Sequence, residues 1–199
     1  MAQATDSKDF THERATLIIR PNRIQFFRYD YISLSCETPG NSSNWTVKRN
    51  TSSRSPVSVS CGDKFGRLNE STCIIRGVYT ADSGQYWCES ERGDRSNVID
   101  IIVNNSVVIL ESPALPVKEG DTVTLRCFYK EKYAERSTSN FSAKFHREDG
   151  LILPQPTGQM TFPMSKSMEG LYKCEHPTKG KSPQSLLVMR GKYSKFVIQ

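Results

Sequence analysis

The chain is 199 residues long, contains six cysteines and 36% hydrophobic residues, and carries a formal net charge of +6. This length fits two domains of about 100 residues each, and no run of 18 or more apolar residues is present that could span a bilayer. The charge is uneven, because residues 107–199 hold 14 Lys or Arg against 9 Asp or Glu, whereas residues 1–106 hold 13 against 12.

The first half of the chain has the pattern of a series of short β-strands. Residues 1–14 are polar and without periodicity, so we expect a flexible N-terminal arm there. Strands are predicted where apolar and polar residues alternate between Pro-, Gly- and Asn-rich breaks. The predicted strands of this half cover residues 15–19, 24–27, 31–36, 45–48, 57–59, 73–75, 84–89 and 97–103.

One motif organises these strands. Residues 82–88 have the sequence Asp-Ser-Gly-Gln-Tyr-Trp-Cys, which places Tyr86 two residues before Cys88. This spacing is typical of the tyrosine corner of an immunoglobulin-type sandwich, in which the Cys joins the two sheets. Upstream, Cys36 ends an alternating strand, and Trp45 follows nine residues later, where a strand-C tryptophan would point inward and cover the bridge. We therefore predict one sandwich closed by a Cys36–Cys88 bridge.

A second copy of the pattern follows. Residues 121–127 repeat the strand before the first Cys, and residues 169–174 repeat the corner, with Met168 in the place of Asp82. The predicted strands of this half cover residues 107–110, 121–128, 141–146, 151–153, 160–162, 170–174 and 185–189. Because the second strand C has no Trp, Phe141 or Phe145 must take its packing role.

The predicted fold class is thus all-β, with two tandem immunoglobulin-like (C2/I-type) β-sandwich domains. We predict an N-terminal arm over residues 1–14, a first domain over 15–105, a second over 106–190 and a basic tail over 191–199. Residues 104–106 form the whole linker, and a linker this short predicts a fixed bend between domains that touch.

The cysteine count indicates an oxidising, extracellular compartment. We predict that Cys127 and Cys174 form the bridge of the second domain. Cys61 and Cys73 are then left to pair with each other, closing a short loop at an edge of the first domain. A zinc site is the competing interpretation, but no Cys-x-x-Cys pair exists and no His lies nearby. Six Asn-x-Ser/Thr sequons also favour a cell-surface ectodomain or a secreted protein. The predicted glycosylation sites are Asn41, Asn44, Asn50, Asn69, Asn104 and Asn140.

Residues 1–13 lack the apolar core of a signal peptide, so we expect a mature ectodomain. Enzymatic motifs are absent from the sequence. His12, His146 and His176 lack a second His at metal-ligand spacing, and neither a phosphate-binding glycine loop nor a nucleophile elbow occurs. We predict a binding protein that is not an enzyme and needs no cofactor or metal.

Two other functions would rest on particular residues. Arg92-Gly93-Asp94 lies in the predicted F–G hairpin of the first domain and would suit an integrin, although a hairpin turn needs such a glycine in any case. The basic second domain would suit nucleic acid or glycosaminoglycan, but its charges are scattered and lack interleaved aromatic residues. Both stay alternatives to recognition of a protein ligand by an immune receptor.

Several motifs together resemble the Fc receptor and Fc receptor-like family over residues 15–190. They are residues 86–90 (Tyr-Trp-Cys-Glu-Ser), residues 119–127 (Glu-Gly-Asp-Thr-Val-Thr-Leu-Arg-Cys) and residues 143–150 (Ala-Lys-Phe-His-Arg-Glu-Asp-Gly), with a near-absent linker. The leukocyte immune-type receptors of bony fish are the nearest group in this resemblance. It implies that the domains pack at an acute angle and that the second domain binds immunoglobulin Fc. Related receptors bind class I histocompatibility molecules or other surface proteins.

The resemblance implies that Fc is held by the B–C loop, strand C with C′, and the F–G loop of the second domain. One departure is that mammalian Fc receptors use two tryptophans near the junction, whereas Trp45 and Trp87 belong to strands of the first domain. In this topology the B–C and F–G loops emerge at the same end, which predicts one basic patch with Tyr133 as its aromatic anchor. The predicted ligand-binding residues are Lys130, Lys132, Tyr133, Arg136, Lys144, His146, Lys179 and Lys181.

Overall fold

The computed structural model of the chain describes residues 14–39, 44–51, 58–132, 134–148 and 150–190. Over these residues the protein is all-β, apart from two 3-10 helices at Thr80–Asp82 and Lys166–Met168. The strands form four sheets, two from each half of the chain, which confirms the predicted fold class of tandem immunoglobulin-like domains. Residues 1–13 of the predicted arm, the predicted tail, Val57 and Asn41 lie outside the described residues.

The first domain is a sandwich of two sheets. One sheet has the strand order β1-β3-β7-β6 and the other the order β2-β9-β8-β4-β5, with β2 parallel to β9. The strands are β1 (Thr16–Arg20), β2 (Gln25–Phe27), β3 (Tyr31–Glu37), β4 (Trp45–Thr51), β5 (Val59–Ser60), β6 (Arg67–Asn69), β7 (Thr72–Arg76), β8 (Gly84–Ser90) and β9 (Ile99–Asn104). The sequence pattern did not predict β6, because its three residues are all exposed and show no alternation in burial.

The second domain repeats the plan. One sheet has the order β10-β11-β14, and the other has the order β13-β12-β15-β16, with β17 also paired to β15. The strands are β10 (Val108–Glu111), β11 (Thr122–Tyr129), β12 (Ala143–Arg147), β13 (Gly150–Gln155), β14 (Gln159–Pro163), β15 (Gly170–His176), β16 (Gly180–Lys181) and β17 (Ser185–Leu187). Phe145 on β12 is fully buried in this core and takes the place of the strand-C tryptophan.

Both tyrosine corners are formed. The hydroxyl of Tyr86 donates a hydrogen bond to the carbonyl of Asp82 at 2.7 Å, and that of Tyr172 donates to the carbonyl of Met168 at the same distance. Burial raises the pKa of Tyr86 to about 12, so its hydroxyl stays a donor throughout the physiological range. A corner therefore forms whether Asp or Met precedes the turn, since the acceptor is a backbone carbonyl.

The three predicted disulfides are confirmed. The bridges Cys36–Cys88, Cys61–Cys73 and Cys127–Cys174 are all present, and no described cysteine is free. The first and third join the two sheets of their domains. The second ties the segment after β5 to β7 at the edge of the first sandwich.

The two tryptophans differ in position. Trp45 is partly buried against the core of the first domain. Trp87 is 4% exposed, yet it lies on the other face of β8 from Tyr86 and Cys88, because side chains alternate along a strand. Its indole donates to Glu89, and the Arg95 guanidinium lies 4.8 Å from the ring centre. Trp87 therefore belongs to the outer face of its sheet and not to the inter-sheet core.

The domains meet at a buried polar junction. Gln25 on β2 is fully buried, and its amide donates to the carbonyl of Pro183 at 3.0 Å and to the hydroxyl of Ser185 at 2.7 Å. Its amide oxygen accepts from the backbone N–H of Leu110 at 3.0 Å. One side chain of the first domain thus satisfies three groups of the second, which stabilises one relative orientation.

An ion cluster lies beside this glutamine. The carboxylate of Asp30 accepts from Arg23 at 2.7 Å and from the Lys130 ammonium at 3.1 Å, so it joins both domains. The guanidinium of Arg23 also lies 3.7 Å from Glu111 and 5.9 Å from the ring centre of Phe128, both in the second domain. These ion pairs and the cation–ring contact hold the two domains against each other, as expected from the short linker.

Candidate ligand-binding surface

The B–C and F–G loops of the second domain lie side by side. The ring of His176, at the end of β15, packs against Tyr129 and Phe141, with centroid distances of 4.9 Å and 4.4 Å. The Lys179 ammonium lies 5.3 Å from the Tyr129 ring centre and 3.7 Å from the Glu131 carboxylate. An aromatic cluster with a half-exposed cation therefore lies where the two loops meet.

His176 is held neutral in this cluster. Its Nδ1 accepts a hydrogen bond from the backbone N–H of Thr178 at 3.1 Å. Partial burial among the rings lowers the pKa of His176, and the nearby charge of Lys179 lowers it further. The imidazole thus presents an uncharged ring at physiological pH, and the positive charge at this place comes from Lys179.

A second group of predicted residues surrounds Glu175 on the outer face of β12 and β15. The carboxylate lies 3.0 Å from Nε2 of His146 and 3.6 Å from the Lys181 ammonium. Burial alone would raise the pKa of Glu175, but the hydrogen bond from His146 and the charges of Lys181 and Lys144 outweigh it and lower the pKa. The carboxylate thus neutralises part of the positive charge that the sequence alone predicted here.

The structure does not bring all the predicted residues together. Lys130 faces the domain junction, where its ammonium is bound to Asp30 and its side chain is only 14% exposed, so it is not on the loop surface. Lys132 and Arg136 are exposed on the B–C loop. Tyr133, the predicted aromatic anchor, lies outside the described residues. The described aromatic groups of the surface are Tyr129, Phe141 and His176, which the prediction did not include as contacts.

The Arg-Gly-Asp segment forms a closed turn. The hydroxyl of Ser90 donates to the Asp94 carboxylate at 3.2 Å and accepts from the Asp94 backbone N–H at 3.1 Å, so this half-buried carboxylate is directed back onto its own hairpin. Gly93 has φ +88° and supplies the left-handed residue of the turn. Arg92 is exposed beside it. This geometry agrees with a structural role for the segment.

The sequons differ in exposure. Asn44, Asn69 and Asn140 are exposed, whereas Asn50 and Asn104 are half-buried. Among the described residues no group of three or more His, Cys, Asp or Glu side chains is arranged to hold a metal ion. In the same part of the chain, neither helix is long and apolar enough to cross a membrane.

The fold is that of two tandem immunoglobulin-like domains. No protein-family model matches the chain. The chain is 29% identical over 172 residues to low affinity immunoglobulin gamma Fc region receptor II of Mus musculus, covering 83% of this chain and 47% of that protein. It is 26% identical over 169 residues to Fc receptor-like protein 5 of Mus musculus, covering 81% of this chain and 25% of that protein.

A chain of the crystal structure of murine CEACAM1b aligns with 89% of this chain and 100% of its own length, at 17% identity and a TM-score of 0.34. The chain spans about half the length of the first curated relative and a quarter of the second. It is therefore similar to Fc receptors and Fc receptor-like proteins across both domains, over part of their length.

The junction residues were not predicted from sequence. Gln25 is a polar residue within the otherwise apolar run 24–27. A polar side chain that is buried with such a run needs a hydrogen-bond partner, which is the signal that could have identified it. Arg23 and Asp30 flank the same run. The hydrogen-bond partners of Gln25 lie 85 to 160 residues away in the sequence, and the Lys130 partner of Asp30 lies 100 residues away. Local spacing therefore could not identify them.

Proposed function

We propose that this chain is the extracellular ligand-binding region of an immune receptor, and that it binds immunoglobulin Fc through its second domain. The similarity to two Fc receptor-type proteins across both domains carries the proposal. The receptor is cell-surface or secreted and acts by binding, without chemistry. Within this group we propose the leukocyte immune-type receptors of bony fish as its nearest relatives.

The surface where the B–C and F–G loops meet supports the choice of the second domain. It combines rings that are already packed together with a half-exposed lysine, Lys179. Pre-packed rings lose little conformational entropy on binding, and a rim charge mainly steers the encounter. Such a surface fits a folded protein ligand, because it is formed by two neighbouring loops that present aromatic rings and an exposed cation together.

A direct binding measurement tests the proposal. The whole chain would be passed over immobilised immunoglobulin Fc and, on a second surface, over a class I histocompatibility molecule. We expect binding to Fc and a higher Kd for Tyr133→Ala, with a faster dissociation rate because an aromatic anchor is lost. Binding only to the class I molecule would replace Fc as the ligand, and binding to neither would overturn the proposal.

The adhesion alternative is tested on the same chain. Asp94→Glu lengthens the carboxylate by one methylene, and an integrin contact would be lost. We expect no change in Fc binding and no dependence of cell adhesion on this residue, since the Asp94 carboxylate is already bound to Ser90. Loss of cell binding in Asp94→Glu would favour the adhesion function.

A further inference from the structure

Two tyrosines of the first domain form an exposed pair. Tyr29 is 59% exposed and Tyr79 is 47% exposed, and their rings meet edge to face with centroids 5.3 Å apart. The guanidinium of Arg28 lies 5.2 Å from the first ring centre and 5.6 Å from the second. We call Arg28, Tyr29 and Tyr79 the tyrosine–arginine surface.

The backbone holds this surface in a strained conformation. Tyr29 has φ +67°, a left-handed conformation that is unfavourable for a bulky L-residue. Two backbone hydrogen bonds fix it: Tyr29 N–H donates to the Val78 carbonyl at 2.8 Å, and Val78 N–H donates to the Asp30 carbonyl at 3.0 Å. Gly or Asn would relieve the strain at this position. A strained aromatic residue held in an exposed turn points to a functional contact.

The charge of the surface is unneutralised. Arg28 is exposed, and its guanidinium donates to the Tyr29 hydroxyl at 3.3 Å but has no carboxylate partner among the residues that the structure describes. Tyr31, also exposed, lies opposite the exposed Arg76 on the neighbouring strand. Tyrosine and arginine are, with tryptophan, enriched among the energetically dominant contacts of protein interfaces. A partner that fits here presents a carboxylate next to apolar or planar groups.

The position of the surface connects it to the second domain. Tyr29 precedes Asp30, whose carboxylate binds Lys130 across the junction. Lys130 precedes Glu131, which lies 3.7 Å from Lys179 on the loop surface of the second domain. The backbone segment that carries Tyr29 is thus joined to the start of the B–C loop through the inter-domain ion pair of Asp30 and Lys130.

From this geometry we infer that the tyrosine–arginine surface is a second contact site for the protein ligand of the second domain, and that it meets an acidic, partly apolar stretch of that ligand. The inference rests on the proposed function, because it takes immunoglobulin Fc as the ligand. It predicts a footprint that spans both domains across the fixed junction.

The test measures Fc binding of the whole chain and of four variants, with the melting temperature of each. Tyr79→Ser removes one ring, and we expect the Kd to rise about tenfold. Arg28→Glu should slow association at low salt and much less at high salt, because it reverses a steering charge. Tyr29→Asn should raise the Kd while leaving the melting temperature unchanged or higher, since Asn tolerates the left-handed conformation.

The control is Leu68→Ser, which removes a comparably exposed apolar side chain from β6 of the same domain. If the wild type binds Fc and the Kd is unchanged in both Tyr79→Ser and Arg28→Glu, the inference is wrong and the proposed function still stands. Absence of Fc binding in the wild type would overturn both. A Tyr29→Asn variant that loses binding only together with its melting temperature would show that this residue acts through folding.

Discussion

The ammonium of Lys130 lies 3.1 Å from a carboxylate oxygen of Asp30, and this contact joins two domains across 100 residues of sequence. The other carboxylate oxygen accepts from Arg23 and from the backbone N–H of Phe27. The side chains of Lys130, Asp30 and Arg23 are 14%, 13% and 11% exposed, so the cluster is largely shielded from water. Asp30 is its only carboxylate within hydrogen-bond distance among the described residues, and the two cations depend on it.

Asp30→Asn should therefore destabilise the chain more than Lys130→Met. Removing the carboxylate charge leaves the shielded Lys130 ammonium without its ion-pair partner and Arg23 with only the more distant Glu111 carboxylate, a loss of about 3 kcal/mol. Lys130→Met keeps the apolar stem beside Phe27 and leaves Asp30 paired with Arg23, so the loss should be about 1 kcal/mol. Denaturant unfolding measures both.

Asp100→Asn is the matched control, because Asp100 is exposed on β9 of the same domain. It should change the unfolding free energy by less than about 0.5 kcal/mol. Equal losses in Asp30→Asn and Asp100→Asn would mean that the junction cluster contributes nothing beyond surface charge.

Gln25→Met should loosen the domain junction. Methionine has a similar volume but cannot hydrogen-bond Leu110 N–H, Pro183 carbonyl or Ser185 hydroxyl, and buried groups without partners cost about 1–3 kcal/mol. We expect the two domains to tumble more independently, measured as a drop in rotational correlation time by NMR relaxation. Gln85→Met, on the exposed face of β8, should leave the correlation time unchanged.

The parts of the fold that sequence predicted are those governed by short-range spacing. The tyrosine corner needs Tyr and Cys two residues apart, and the central bridges follow from the corner, so Cys36–Cys88 and Cys127–Cys174 were predictable. Strands with one buried face were predicted because their side chains alternate. The exposed strand β6 lacks that signal, and it escaped prediction for that reason.

The surface chemistry was harder to predict. Topology alone predicted that the B–C and F–G loops meet, as His176 and Phe141 do. It did not predict that Lys130 turns to the junction, because that depends on how the second domain is oriented against Asp30. The number of lysines in the sequence likewise does not show which carboxylate lies beside each of them. In the structure Glu131 lies beside Lys179 and Glu175 beside Lys181, and these carboxylates neutralise part of the patch.

Replacing Cys61 and Cys73 together by Ser should lower the unfolding free energy of the first domain by about 3 kcal/mol. The bridge closes a short loop with a sequence separation of 12, and loop-closure entropy gives this value. Fc binding by the second domain should be unchanged. Differential scanning calorimetry, with the binding measurement repeated on the variant, checks both statements, and loss of Fc binding would connect this edge of the first domain to the ligand.

His176 should make the second domain less stable as the pH falls below about 6.5. Its folded-state pKa lies below the unfolded value because of burial and the charge of Lys179, so the unfolded chain takes up the proton first. Above pH 6.5 the imidazole is neutral in both states and the stability of the domain is unaffected. Between pH 6.5 and the lowered folded-state pKa of His176, the free energy of unfolding falls progressively. His176→Phe keeps a ring between Tyr129 and Phe141 and cannot be protonated.

The measurement is the melting temperature between pH 7.5 and 5.0. The wild type should lose more than His176→Phe over this interval, and the difference between them should vanish above pH 7 once the constant effect of the substitution is subtracted. Parallel curves over the whole interval would show that His176 is not the titrating group. Below about pH 4.5, protonation of Glu175, whose pKa is lowered in the folded state, should destabilise both proteins alike.

Lys179→Glu should slow the association of the chain with Fc in a salt-dependent way. The substitution reverses a 41% exposed charge at the meeting point of the two loops and places it beside Glu131. The association rate should fall severalfold at low ionic strength and recover as salt screens the charge, while the dissociation rate changes little. Adding Glu131→Lys restores an ion pair of opposite polarity, so the double variant recovers any local stability that was lost. An association rate that falls equally at low and high ionic strength in Lys179→Glu would contradict the prediction, because a steering charge is screened by salt.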